Sequence, residues 1–335
     1  MTDSPLPVAY DSDSDSFASA YSTLSWFSKH HPLRRPGSIT DPILLGIECH
    51  PDLEPSDMER LTFGILNEYL QPSSCTSPTD AAWQLHDGFP FSHPHVDGEE
   101  SPECLLEEFW DLMFRLAQQI PHNHPSQQRF VQLIIALRDL PVDTKVFIGS
   151  DTHHLWHDLP MLGFAMGTWM NRIPTDDILI DNNTRQRWHS YNSFVARLVR
   201  DGVYVGLPSA ALSCVSILCS ALEDEPDSRS KAYKNYGPEL DVFVPIAADW
   251  ILLAGKEVYS LSVANYSVGF YGNRGKNFKG PVGFSVARWN FWKRRFEAIS
   301  NHHNVKDETK LHAKRALEAM HTVDQSSTSG ALRVL

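Results

Sequence analysis

The stretch DVFVPIAADWILLAGKEVYSL, residues 241–261, is apolar almost all the way round at helical period. A helix without a polar face must be covered on most sides, so this one belongs at the centre of a fold. Asp249 and Lys256 interrupt it, and no run of the chain approaches the roughly eighteen apolar residues that a bilayer crossing needs. A central helix implies other helices around it, and the rest of the chain reads as their source.

EPSDMERLTFGILNEYL (54–70) opens with Ser56 followed by Glu59, the spacing of a capping box, and then places Leu61, Ile65 and Leu66 at helical intervals. SPECLLEEFWDLMFRLAQQI (101–120) repeats the grammar, with Ser101 as cap and Leu105, Leu106, Phe109, Met113 and Leu116 on one stripe. SQQRFVQLIIALRDL (126–140) follows after Pro121 and Pro125, which predicts an antiparallel hairpin with its predecessor. Further helices are expected near 159–171, 187–200, 208–222, 239–261, 284–299 and 307–322. TKVFIG (144–149) is the one β-like fragment, too isolated to make a sheet. The class is therefore all-α: antiparallel helical pairs packed into one multi-helix domain, with little or no β structure. Residues 1–15 read as a disordered acidic leader, 16–323 as the single helical domain and 324–335 as a flexible tail.

The 42% hydrophobic content is enough for a sizeable core. A net charge of −12 disfavours broad contact with phosphate backbones or anionic bilayers, so neither nucleic acid nor a membrane is an expected partner. Five scattered cysteines without CxxC spacing point to a reducing compartment, the cytoplasm with the nucleus left open. The acidic, Ser-rich start is the opposite of a signal or transit peptide.

Five segments occur in order: LWHDLPMLG (155–163), WHSYNSFVARLVRDG (188–202), DVFVPIAADWILLAGKEVY (241–259), GFSVARWNFWKRRFEAIS (283–300) and ETKLHAKRALEAM (308–320). Together they resemble a group of filamentous-fungal proteins classed as a domain of unknown function, over roughly residues 55–323. The resemblance implies a helical, soluble fold and a fungal source, and brings no activity with it. In that pattern Leu155, Trp156, Asp158, Leu159 and Pro160 recur, whereas His153, His154 and His157 do not.

Each candidate constellation has a bland competitor. His153 and His157 have the spacing of a helical zinc pair, but no third ligand is near and Pro160 delays the helix. His93, His95, His122 and His124 lie beside prolines and read as solvated loop tips. Asp176, Asp177 and Asp181 loosely match the magnesium motif of terpene synthases, at DDxxxD rather than DDxxD spacing, and read better as a loop feeding a helix N-terminus. The segment 271–283, with Arg274, Lys276 and Lys279 among Gly272, Gly275, Gly280 and Gly283, lacks both nucleotide fingerprints and reads as a flexible connector. No metal and no cofactor is expected.

Trp156, Trp169, Trp188, Trp250, Trp289 and Trp292 either fill the core or line an apolar pocket, with Asp158 and Asn192 beside them. Asp249 shares a stripe with Val242, Ile246 and Leu253, so it should be buried and paired; Arg197, Arg288 or Arg295 is the expected cation. The alternative makes Asp249 and Lys256 the polar groups of the pocket. Two functions follow. The first is an interaction or scaffold protein, whose partner is another protein or a second copy of the chain. The second is a binding protein or cofactor-independent tailoring enzyme of fungal secondary metabolism, taking an apolar small molecule; a magnesium-dependent terpene-type cyclase is a remote third. No catalytic motif is recognisable, so whether the chain is an enzyme stays open.

Overall fold

A computed structural model describes residues 33, 36–49, 52–90, 101–171, 181–203, 208–224, 231, 236–267 and 275–331. The leader at 1–15, His93, His95, Asp176, Asp177, Gly272 and Arg274 lie outside them. The described residues form ten helices and one two-stranded sheet. In order these are α1 (Asp57–Tyr69), α2 (Pro78–Gly88), α3 (Pro102–Gln119), α4 (Pro125–Arg138), β1 (Lys145–Ile148), β2 (Asp151–His154), α5 (Leu162–Asn171), α6 (Asn182–Arg200), α7 (Pro208–Leu222), α8 (Gly237–Val263), α9 (Val286–Ser300) and α10 (Asp307–Ala331). No helix among them is long and apolar enough to cross a membrane.

Polar side chains start these helices where the sequence provides them. Ser56 and Glu59 cap α1 reciprocally, Ser101 accepts from the Cys104 amide, and Asp181 accepts from Asn183 and Thr184. Asp181 thus serves a helix N-terminus. The α8 helix is the hub, packed against α6, α7, α9 and α10, with Val242, Ile246 and Trp250 buried. Two local faults bend it. Pro245 withholds an N–H from the preceding turn, and Ala254 leaves helical geometry at φ −127°, ψ 26°.

Four expectations need correction. The α3 and α4 helices do not form a hairpin: α4 packs on α2 and α6, and α3 on α5 and α6. Phe114 of α3 and Phe130 of α4 both pack on Phe194, so α6 stands between them. At the corner, Gln127 Nε2 donates to the Ala117 and Ile120 carbonyls that α3 leaves open. Second, TKVFIG has a partner, because β1 pairs antiparallel with β2, and β2 carries His153 and His154. Gly149, at φ +59°, and Ser150 make the two-residue turn. Third, α10 runs on to Ala331, past the helix expected near 307–322, and Asp324 accepts from Trp289 Nε1 at 2.9 Å. Fourth, residues 275–283 are anchored, with Gly275 and Asn277 donating their amides to Glu223.

The LWHDLPMLG turn is held as its Trp, Asp and Pro suggest. Leu159 and Met161 take positive φ (44° and 64°), costly for such side chains. Around them Trp110 donates to the Pro160 carbonyl, Asp158 accepts the His154 amide, and Trp156 donates to His86.

Candidate functional site

The tryptophans sit in the packed core of the described residues. Trp156, Trp250, Trp289 and Trp292 are at most 1% exposed, and Trp188 stacks on Tyr191 at 4° between planes. Their N–H groups are also committed: Trp250 donates to Asn192 Oδ1, and Trp292 to Glu223 Oε1. They are core posts with polar anchors. Arg288, expected near Asp249, instead lies wholly buried against Glu223, with Nε to Oε1 at 2.7 Å and Nη2 to Oε2 at 2.9 Å. Arg295 donates to the Leu222 carbonyl. Lys256 is exposed.

What faces Asp249 is a groove of about 670 Å³ that no aromatic other than histidine lines. The topology explains it. Both α6 and α10 pack on α8 but barely on each other, so a trough opens between them over α8. Each wall contributes residues at three- and four-residue intervals: Arg185, His189 and Arg197 from α6; Asp241, Pro245, Asp249 and Leu252 from α8; Glu308, His312 and Arg315 from α10. The turn at 121–124 closes one end with His122 and Asn123.

At the floor, His189 Nε2 lies 2.8 Å from Asp249 Oδ2, and the Ser193 hydroxyl donates to the same oxygen at 3.0 Å. The partner that Asp249 was expected to find in arginine is therefore an imidazole. Arg197 does something else: Nη1 donates to the Ser193 carbonyl and Nη2 to the His122 carbonyl, tying the 121–124 turn to α6. The His122 ring then lies flat on His189, with centroids 3.7 Å apart and planes 8° apart. His122 is thus no solvated loop tip, and His124 is 3% exposed, capping α4 through Nδ1.

Charge follows from this packing. Burial pushes the Asp249 carboxyl up, but the His189 hydrogen bond and the charges of His189 and His122 outweigh it and hold its pKa at about 2. Burial, and then repulsion by His189, draws His122 down to about 3. Burial likewise lowers His312, and lowers Arg197 to about 10. At neutral pH Asp249 is charged and His122 is not. A carboxylate can only accept, so the His189 Nε2–H faces Asp249, and in the neutral ring Nδ1 is then the nitrogen without a hydrogen. The Ser193 hydroxyl bonds the carboxylate and not the imidazole, so no nucleophile is set up. The arrangement suits proton transfer rather than covalent catalysis.

The ligating atoms of His122, His189 and Asp249 lie within 4.8 Å of one another, the one such group among the described residues. Their geometry is wrong for a shared ion as it stands. Parallel stacked rings have in-plane lone pairs that run side by side, so ligation demands that one ring leave the stack. The 153–157 histidines do not converge. His153 and His154 are adjacent on β2 and point to opposite faces, while the His154 and His157 centroids are 6.4 Å apart.

Of the residues singled out from sequence, the structure brings Asp249 and Arg197 to the groove. His122 was read as a solvated loop tip, and His189, His312 and Arg315 were missed, being scattered along the chain with no local motif. No curated protein and no solved structure matches the chain. A family model described as "Protein of unknown function (DUF3632)" matches residues 110–296, which takes in His122, His189, Arg197 and Asp249 but stops short of α10. The chain belongs to that family.

Proposed function

We propose that the protein binds a small polar molecule in the α6–α8–α10 groove and exchanges a proton with it through His189, oriented by Asp249. One observation carries this. The groove gathers polar atoms that have no protein partner among the described residues: the ring nitrogens of His122, Nδ1 of His189, Oδ1 of Asp249 and the buried Nδ1 of His312. Polar atoms so placed are stabilised by a ligand or by solvent, and their convergence in one cleft is what a binding site supplies. A polar substrate replaces the apolar one expected from the tryptophans. Five cysteines that form no disulfide support a cytoplasmic setting, and the motif resemblance supports a filamentous-fungal source.

The interaction or scaffold role has the filled tryptophan core in its favour. Native mass spectrometry of the full chain purified from its own host separates the two. The proposal expects a retained small molecule that is lost in His189→Ala while the variant stays folded. A bare chain, or a second polypeptide in place of a small molecule, speaks for the scaffold instead.

A further inference from the structure

If the groove is a binding site, its charge says what it binds. Four guanidinium or ammonium groups line it (Arg185, Arg197, Lys306, Arg315) against three carboxylates, before any histidine takes a proton. That excess sits in a chain whose net charge is −12, so it opposes the overall composition. Two of the three carboxylates are already engaged. Asp241 Oδ1 accepts the Lys306 amide at 3.0 Å and the Thr309 hydroxyl at 2.5 Å, which caps α10, and Asp249 holds His189 and Ser193. Glu308 is exposed on the first turn of α10.

Two of the cations, Arg197 and Arg315, are less engaged. Arg197 spends its two hydrogen bonds on backbone carbonyls and donates to no carboxylate among the described residues, although a guanidinium carries five N–H donors. A partly buried cation in that state is stabilised by an anion brought to it. Arg315 lies three residues beyond His312, on the same face of α10, and has no ion pair among the described residues. We propose that the groove's ligand carries an oxyanion, a carboxylate or a phosphate, anchored on Arg197 with Arg315 at the rim, which presents the rest of the molecule to the His122–His189 stack.

The proposal rests on the groove being a ligand site, and the test keeps the two apart. Isothermal titration of the full chain with inorganic phosphate and, separately, with succinate, at constant ionic strength, should show saturable binding of at least one. Arg197→Met should weaken it by about tenfold or more, the size of a lost charge-assisted hydrogen bond. Arg197 also ties the 121–124 turn, so the exposed Arg315→Glu serves as a second arm and should weaken binding by roughly threefold or more. Arg294→Ala, an exposed cation on α9 remote from the groove, should change nothing. Binding of neither anion, or binding indifferent to both groove variants, overturns the assignment. So does stoichiometric Zn²⁺ binding that is lost in His189→Ala and displaces the anions. A neutral molecule retained by the native protein, with neither anion bound, would sink the oxyanion and leave the site standing.

Discussion

Glu223→Gln and Arg288→Met should each cost about 3–5 kcal/mol in a urea melt, the usual result of stranding one half of a buried ion pair. Both side chains are 0% exposed, so water cannot replace the missing partner. The carboxylate also takes the Trp292 indole N–H at 2.7 Å and the Gly275 amide at 2.8 Å, while Arg288 Nη1 donates to the Gly283 carbonyl at 2.6 Å. One pair therefore fastens α7, α9 and the 275–283 segment together. A loss of this size is a large part of the roughly 5–15 kcal/mol that holds an ordinary domain folded, so the variants should sit close to unfolding at room temperature. The double variant Glu223→Leu/Arg288→Met should recover part of the loss, since it removes both charges at once. A single variant within 1 kcal/mol of the parent would mean that the pair is not buried as described.

The second large effect is a loss of stability on acidification. His122 has a folded pKa of about 3 against an ordinary value of 6.5. Between those limits the unfolded chain takes up a proton that the folded chain refuses, so stability is complete above pH 6.5 and falls as pH drops toward 3. The slope is about 1.4 kcal/mol per pH unit, or about 3 kcal/mol between pH 6.5 and 4.5. The depressed pKa values of His124, His302 and His312 act in the same direction. Asp249, at about 2 against 3.8, adds a further loss confined to that lower window. His122→Gln cannot take up the proton, so it should flatten the curve above pH 4.5 by about the His122 share. Urea melts at a series of pH values measure this, and an unchanged slope in the variant would refute the assignment.

Helices were legible because each signal lies within one turn of its neighbour. Ser56 with Glu59, Ser101 with the α3 stripe, and the all-round apolar surface of 241–261 needed no distant information. The hairpin was legible in part. Gly149–Ser150 is a two-residue turn signal, but its second strand is two histidines after Asp-Thr, without the β-branched alternation that marks a strand. The burial of Asp249 followed from helix phase, whereas its partner did not. Arginine was expected because it pairs well with carboxylates, yet Arg197 is occupied by carbonyls and Arg288 by Glu223. Glu223 itself opens an acidic stretch, EDEPD, that reads as a solvated loop. His122 and His189 meet only because α6 stands between α3 and α4, and no spacing rule reports that.

The most direct test of the groove as a proton-exchanging site is a long-range ¹H–¹⁵N correlation spectrum of ¹⁵N-histidine-labelled protein at neutral pH. It is recorded before and after addition of the dialysable small-molecule fraction of a host extract. The account predicts a proton on His189 Nε2, facing Asp249. It also predicts that the His122 and His189 resonances shift with the fraction while those of His153, His154 and His157 stay in place. His189 as the Nδ1–H tautomer, or a fraction that leaves both groove histidines unmoved, would contradict it.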